Sequence, residues 1–301
     1  MKPSLRAGLT AAALVISTTG LAGAGSLTAD ASAPSASDST TTARAALPKL
    51  TFTISKSGTI KLTHGPKTFR PGRVAFTVKS KSRNATLGFS RFDKGYSFKH
   101  FRSDLVTAFS KGDMKRLKNA IRHTSFYGGY GAGPGGTMSG TVVLPRAGTY
   151  TLYNFGGNAP KSPLTLRVKG APQKRPAPKS DGTITAVNGL RFGGSSSLPH
   201  QGTLTFRNKA KDSPHFLDLI QVEPGTTKQD VDDYFQSGSQ DPPDFFIADA
   251  GSTEVVGPGQ SMTWNYDLPA GTYVELCFFP DPNMDGMPHA MMGMTRVITL
   301  Q

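Results

Sequence analysis

Alternating apolar and polar residues occur in two parts of the chain and predict the same strands twice. The first repeat begins with GRVAFTVKSKSRNATLGF at Gly72 and ends with AGTYTLYNF at Ala147. The second repeat begins with GTLTFRNKAKDSPHFLDL at Gly202 and ends with AGTYVELCFF at Ala270. A two-residue period places side chains alternately on the two faces of a strand, as in a half-buried sheet. The chain therefore contains a duplicated unit.

Each repeat also contains a helical candidate between its strands. In the second repeat it covers residues 227–235, with Thr226 or Thr227 as the N-cap. In the first repeat it is longer and basic, and covers about residues 101–122. Short strands separated by frequent turns favour sandwiches over other architectures. We predict an all-β protein of two tandem Greek-key β-sandwiches, each with a short helical insertion.

The ends and the middle of the chain predict its organisation. Residues 1–24 combine a basic start, an apolar stretch and the small-residue motif Ala22-Gly23-Ala24, which predicts a secretory signal peptide. Residues 25–47 are rich in Ser, Thr and Ala and predict a disordered lead. The Pro- and Lys-rich residues 170–180 predict a linker between domains at 48–169 and 181–301. No later apolar run is long enough to span a bilayer, so we expect a secreted, extracellular protein without a transmembrane segment.

Charge differs strongly between the two predicted domains. Residues 181–301 contain 15 acidic and 6 basic residues, whereas residues 1–180 contain 5 acidic and 28 basic residues. One interpretation is that the two halves attract each other, or a second copy of the chain. The other is that the basic half adheres to a polyanion such as an anionic cell-wall polymer. Because the basic residues are scattered and are not grouped with aromatic residues, the pattern favours the first interpretation and argues against nucleic acid.

The single cysteine begins the chemical argument, because it can form no internal disulfide in a protein expected to be secreted. Cys277 ends the last apolar strand of the second repeat, and His289 and Met294 follow it in CFFPDPNMDGMPHAMMGM. His215 follows a proline at the start of the opposing apolar strand. Two imidazoles, a thiolate and a thioether are the ligand types of a mononuclear type 1 copper site.

This ligand order resembles that of the cupredoxin family, which includes plastocyanins and azurins, over about residues 182–301. The resemblance implies cupredoxin-like sandwiches and one copper per chain, with His215, Cys277 and His289 as equatorial ligands and Met294 as the axial ligand. Met292 is an alternative axial ligand, although the spacing of Met294 matches plastocyanin. Eleven residues separate Cys277 from His289, more than most family members have, which indicates a looser or more exposed site.

The first repeat has none of the candidate ligands. Aligning the repeats places Ala85 opposite His215 and Asn154 opposite Cys277, and the loop that follows Asn154 contains neither His nor Met. All the ligands are therefore absent together while the strand pattern persists. We predict that the first domain is a degenerate cupredoxin-like copy without copper.

These features lead to three hypotheses of function. The first is a non-enzymatic copper protein that passes single electrons to an unidentified redox partner protein. An enzyme is disfavoured because the chain has no His-x-His pair, HExxH or GxSxG motif. A copper ion whose coordination is already saturated also has no open position for substrate. The second is copper handling, since thioethers suit Cu(I) and five methionines lie within eleven residues: Met284, Met287, Met291, Met292 and Met294. The third is a non-metal module that binds a cell-wall polymer through the basic first domain.

Overall fold

The computed structural model describes residues 46–82, 85–131, 136–155, 159–239 and 241–301, so the predicted signal peptide and most of the predicted lead lie outside it. The elements of the first repeat are β1 (Lys49–Ile54), β2 (Ile60–His64), β3 (Thr68–Phe69), β4 (Gly72–Ser80), β5 (Leu87–Phe92), α1 (Phe98–Lys111), α2 (Met114–Arg122), β6 (Thr124–Tyr130), β7 (Gly136–Leu144), β8 (Gly148–Asn154) and β9 (Lys161–Val168). Those of the second repeat are β10 (Gly182–Val187), β11 (Arg191–Gly194), β12 (Ser197–Leu198), β13 (Gln201–Asn208), β14 (Asp218–Val222), α3 (Lys228–Ser237), β15 (Phe246–Ser252), β16 (Ser261–Asp267), β17 (Gly271–Leu276), β18 (Pro280–Asp281), β19 (Met287–Pro288), a 3-10 turn (His289–Met292) and β20 (Thr295–Leu300).

The strands form three large sheets that repeat one pairing pattern. Each repeat has its own five-stranded sheet, in the order β3-β9-β8-β5-β6 in the first and β12-β20-β17-β14-β15 in the second. The third sheet has eight strands in the order β11-β10-β13-β16-β7-β4-β1-β2, and each repeat supplies four of them. The predicted fold class, two tandem β-sandwiches with helical insertions, is confirmed.

The two repeats meet where β7 and β16 pair in the middle of the eight-stranded sheet. Gly140 on β7 lies opposite Trp264 on β16, and a methyl group at Gly140 would collide with the carbonyl oxygen of Thr263. On the same strands, the backbone N–H of Thr141 donates to the Thr263 hydroxyl over 3.0 Å. The strand pattern predicted two sandwiches but not this shared sheet, because hydrogen bonding between neighbouring edge strands leaves no trace in residue periodicity.

The helical insertion of the first repeat differs from its prediction as a single helix over residues 101–122. Gly112 ends α1 in the left-handed conformation with φ 66°, and Asp113 begins α2 as its N-cap. The chain therefore reverses at a glycine that accepts positive φ and an aspartate that accepts backbone N–H donors. The buried carboxylate of Asp104 braces the two helices, since it accepts hydrogen bonds from Tyr96, Arg116 and Asn119.

The helix of the second repeat begins as predicted. Of the two candidate caps, Thr227 is the N-cap, and it forms a capping box with Asp230. The helix ends at Gly238, which has φ 67°. No helix among the described residues is long and apolar enough to cross a membrane.

Candidate metal centre

Cys277 lies directly after β17, where the strand leaves the sheet. Tyr273 and Cys277 belong to the main core, whereas Val274 and Leu276 pack in a separate cluster together with residues of α3. Strand alternation thus turns the thiol inward, and its exposed fraction is 0%.

His215 lies three residues before β14, in an irregular segment that its neighbours hold in place. Its backbone N–H and C=O pair with those of Val256 over 3.1 and 2.7 Å. The Asn208 amide donates to the carbonyl oxygens of Ser213 and Val256 over 2.8 and 2.9 Å. These bonds fix the backbone on both sides of the proline, so the imidazole is 1% exposed and faces the thiol.

The long interval between Cys277 and His289 is folded into a small hairpin. Strands β18 and β19 pair Pro280 with Pro288 and Asp281 with Met287. The Ala290 N–H donates to the Cys277 carbonyl over 2.7 Å, so the chain returns to its starting point. His289 is 0% exposed. The expectation of a looser or more exposed site is therefore wrong, because the extra residues project away from the site instead of widening it.

The three donor atoms form a small triangle. Cys277 Sγ lies 3.7 Å from Nδ1 of His215 and 3.7 Å from Nδ1 of His289, and the two Nδ1 atoms are 3.1 Å apart. A point equidistant from all three atoms lies about 2.0 Å from each, close to the ~2.0–2.3 Å bonds that zinc, an ion of similar size to copper, makes to imidazole and thiolate. No other group of three His, Cys, Asp or Glu donors among the described residues is arranged to hold a metal.

Burial sets the protonation of the three groups. Desolvation, reinforced by the neighbouring His289, lowers the pKa of His215 to about 3, and desolvation lowers the pKa of His289 to about 4. Both imidazoles are therefore neutral near pH 7 and able to offer a lone pair. Desolvation raises the pKa of Cys277 to about 12 against the opposing effect of hydrogen bonds from the backbone amides of Phe216 and Phe279. A thiolate in this position needs a cation beside it.

The distal nitrogens of the two imidazoles have different surroundings. His289 Nε2 lies 3.5 Å from the hydroxyl of Ser213, which can hold the Nε2–H tautomer and leave Nδ1 free to coordinate. His215 Nε2 is buried without a hydrogen-bond partner in the described part of the chain. Sequence reasoning missed Ser213, although its position two residues before the candidate ligand was a usable signal.

The two candidate axial methionines differ in burial. Met294 is 0% exposed and belongs to the same core cluster as Cys277. Its backbone N–H donates to the His289 carbonyl over 2.9 Å, across a turn in which Gly293 has φ 88°. Met292 is half-buried on the 3-10 turn and lies outside that cluster. Burial with the thiol therefore favours Met294 over Met292.

The first repeat keeps the framework of the site with other contents. Gly88 pairs with Tyr153 as Asp218 pairs with Leu276, and this register reproduces the alignment of Ala85 with His215 and of Asn154 with Cys277. The N–H of Thr86 donates to the Asn154 carboxamide oxygen over 2.9 Å. The equivalent N–H, that of Phe216, donates to the sulfur of Cys277. One backbone donor thus serves an amide in the first repeat and a thiol in the second.

The comparisons with known proteins find only distant structural likenesses. No family model matches it, and no curated protein matches its sequence. Similar solved structures include a reduced auracyanin from Roseiflexus castenholzii, with 24% identity over 40% of this chain and 94% of that chain and a TM-score of 0.26. An azurin from Methylomonas sp. strain J has 18% identity over 40% and 94%, with a TM-score of 0.24. A copper nitrite reductase from Nitrosomonas europaea covers 84% of this chain and 93% of its own at 13% identity, with a TM-score of 0.23. Likenesses this distant do not assign a function.

Proposed function

We propose that this chain is a secreted protein that binds one copper ion in its second repeat and carries single electrons through a type 1 site. The observation that carries the proposal is the buried triangle of His215, Cys277 and His289, whose donor atoms face one another at 3.1–3.7 Å. Bound copper would supply the one-electron couple. His215, Cys277 and His289 would hold it through two imidazoles and a thiolate, and the thioether of Met294 would complete the ligand set.

In this function the protein holds the candidate ligand atoms in place and shields them from water. His215 is held by Val256, and the hairpin returns His289 to the backbone of Cys277. The backbone N–H groups of Phe216 and Phe279 donate to the Cys277 sulfur. They would stabilise the thiolate whether the bound copper is Cu(I) or Cu(II). Because each donor sits on a hydrogen-bonded segment, the site needs little rearrangement when an electron arrives or leaves.

We further propose that the chain is not an enzyme. Three fully buried protein donors and an axial methionine fill the coordination that copper prefers, so no position remains for substrate. Electrons would then pass to a redox partner protein, and the acidic surface of the second repeat would orient a basic partner.

The test is a visible spectrum of the purified chain after addition of Cu(II). We expect strong absorption near the red end of the spectrum from thiolate-to-copper charge transfer. Cys277→Ser should abolish the band, whereas Asn154→Ser, at the equivalent position of the first repeat, should leave it unchanged. A colourless protein whose Cys277 still reacts with thiol reagents after unfolding would overturn the proposal.

One observation favours copper handling as a second candidate function. Among the described residues, four large apolar side chains are exposed, and three of them are Met284, Met287 and Met291 on the loop that joins the candidate ligands. Replacing these three by Leu keeps an apolar surface but removes the thioethers that bind Cu(I). Weaker Cu(I) binding in competition with a soluble chelator would support copper handling, and unchanged binding would exclude these methionines from it.

A further inference from the structure

A second feature of the molecule has no part in the copper proposal. A cavity of about 250 Å³ opens between the repeats and is lined by Arg91, Lys94 and Arg146 of the first repeat and by Gln260 of the second. Ser125 adds a hydroxyl group and Asp93 a carboxylate to its wall. Three cationic side chains therefore share one small space with a single acid.

The guanidinium of Arg91 packs against the turn at Gly148. It lies over Gly148, where an added Cβ would sit 3.4 Å from Nε and 3.5 Å from Cζ. Gly148 has φ 143°, a conformation that strongly favours glycine. The absence of a side chain at Gly148 therefore leaves room for the guanidinium beside this turn.

The backbone that carries Arg146 is also held. The Tyr150 hydroxyl donates to the Arg146 carbonyl over 2.9 Å and accepts from the Arg146 N–H over 3.3 Å. Tyr150 is itself fully buried in the core. The turn that presents Arg146 to the cavity is thus anchored to the sandwich.

The cationic groups of the cavity lack acidic partners. None of the ion pairs found within the described residues includes Arg91, Lys94 or Arg146. The acid of the wall, Asp93, has its carboxylate 3.1 Å from Nδ1 of His123. Positive charge in the cavity is therefore largely uncompensated, and an anion would relieve the repulsion between these side chains.

The second repeat shows that the scaffold does not require these cations. Gln221 occupies the place of Arg91, with its side-chain amide 3.3 Å from the corresponding added Cβ at Gly271. In the turn before Gly271, Pro269 stands where the first repeat has Arg146. Tyr273 makes the same hydrogen bond as Tyr150, to the carbonyl of Pro269. Gln221 and Pro269 show that this framework forms without a cation at the places of Arg91 and Arg146.

We propose that this cavity binds a phosphate-type oxyanion. Guanidinium groups match the oxygens of such a group in pairs, and Lys94 adds a point charge. The Ser125 hydroxyl and the Gln260 amide are the kind of neutral donors that complete such a site. The oxyanion is either free phosphate or a phosphate of an extracellular phosphodiester polymer, and the site does not depend on copper.

The experiment measures binding of inorganic phosphate and of a soluble poly(glycerol phosphate) to the full chain by titration calorimetry. Arg91→Gln with Arg146→Gln should weaken binding of either probe about 10-fold or more, the effect of losing charge-assisted hydrogen bonds. Arg91→Gln installs the residue that the second repeat carries at this place, so the fold should persist, and circular dichroism checks this. The charge-matched control is Lys56→Gln with Lys61→Gln, two exposed sites outside the cavity, which should change binding less than 3-fold.

The two probes separate the two sources of the oxyanion. Tighter binding of the polymer, displaced competitively by inorganic phosphate, would support a polymer-borne phosphate in the cavity. Equal affinity per phosphate would support the free ion. Equal losses in the cavity variant and in the control would overturn the proposal in favour of general charge attraction, and so would the lack of saturable binding of either probe.

Discussion

The two repeats use one framework for different purposes, and the difference lies at the same strand ends. At the end of β8, Asn154 accepts from the N–H of Thr86 and donates to the carbonyl of Gly58, so it satisfies two backbone groups. After β17, Cys277 receives the equivalent N–H from Phe216 and faces two imidazoles instead. The first repeat has a polar side chain whose hydrogen-bonding groups are paired with the backbone. The second repeat has, at the same place, candidate metal-ligand atoms that face one another.

This contrast affects how much the candidate centre lowers the stability of the folded protein in the absence of a metal. Buried polar groups without good partners destabilise a fold. A protonated Cys277 has a single S–H for two imidazole nitrogens that lie 3.7 Å away, and His215 Nε2 has no partner among the described residues. A bound cation would interact with all three groups and so stabilise the buried cluster. The first repeat needs no cation, because its Asn154 is already hydrogen-bonded.

The shared sheet allows a direct test of whether the two repeats unfold as separate units. Gly140→Ala would push a methyl group into the Thr263 carbonyl across the seam, where backbone rather than a flexible side chain must move. We expect a loss of about 3 kcal/mol in the free energy of unfolding, at the upper end for an overpacked site. Urea denaturation followed by tryptophan fluorescence and by circular dichroism measures it.

Ser139→Ala on the same strand is the matched control for this variant. Ser139 accepts one hydrogen bond from Asn265 across the seam, and its loss should cost about 1 kcal/mol or less. If the repeats share one cooperative unit, both probes will report a single transition in both variants. Two separated transitions in Gly140→Ala would mean that the repeats fold independently and that the shared sheet contributes little to either.

The strand content and the cluster of His215, Cys277 and His289 could be predicted because each leaves a local trace in the sequence. Alternation marks β8 and β17, and the repeated Ala-Gly-Thr-Tyr marks where each begins. Cys277, His289 and His215 stood out by residue type and order, and the structure brings them together. The capping box of α3 was equally readable, since Thr227 precedes Asp230 by three residues.

Other features depend on contacts that no local pattern records. The pairing of β7 with β16 joins residues more than 100 positions apart. The hairpin of β18 and β19 lies in a segment for which the sequence predicted only a long loop. The single predicted helix of the first repeat failed at Gly112 and Asp113, where a glycine C-cap adjoins an aspartate N-cap. A glycine followed directly by an aspartate is a local sequence signal for such a junction.

A buried acid between the repeats gives the next test. Glu254 of the second repeat is 7% exposed and lies against Gly88 of the first. Burial raises the pKa of Glu254 to about 7, against hydrogen bonds from the Thr86 hydroxyl and the Val255 N–H. Because the folded pKa is above the ordinary 4.5, the stabilising contribution is complete below about pH 4.5 and is lost as pH rises through 7.

Glu254→Gln should therefore stabilise the protein above pH 7, on the order of 1–2 kcal/mol, and have little effect at pH 4.5. Urea midpoints at pH 4.5, 6 and 8.5 measure the difference. Glu223→Gln, at a solvent-exposed position of the same repeat, is the control and should leave the pH dependence as in the parent chain. A Glu254→Gln variant that is destabilised at pH 8.5 would mean that the carboxylate is charged and well solvated in the folded protein.

The smallest expected effect separates the two methionines that follow His289. Met294→Leu keeps an apolar side chain of similar volume in the core beside Cys277, so its cost in stability should stay below about 1.5 kcal/mol. In a site whose thiolate and imidazoles already suffice for Cu(I), loss of a further electron-pair donor destabilises the more highly charged Cu(II) more. The reduction potential of the copper-loaded protein should therefore rise by about 60 mV or more, where 59 mV is a tenfold change in relative affinity for the two oxidation states. Met292→Leu, on the half-buried turn, should leave the potential within the error of voltammetry. A shift in the reduction potential of Met292→Leu, with none in Met294→Leu, would reverse the assignment of the methionine ligand. The proposed roles of His215, Cys277 and His289 would stand, because the triangle of their donor atoms does not depend on which methionine is the additional ligand.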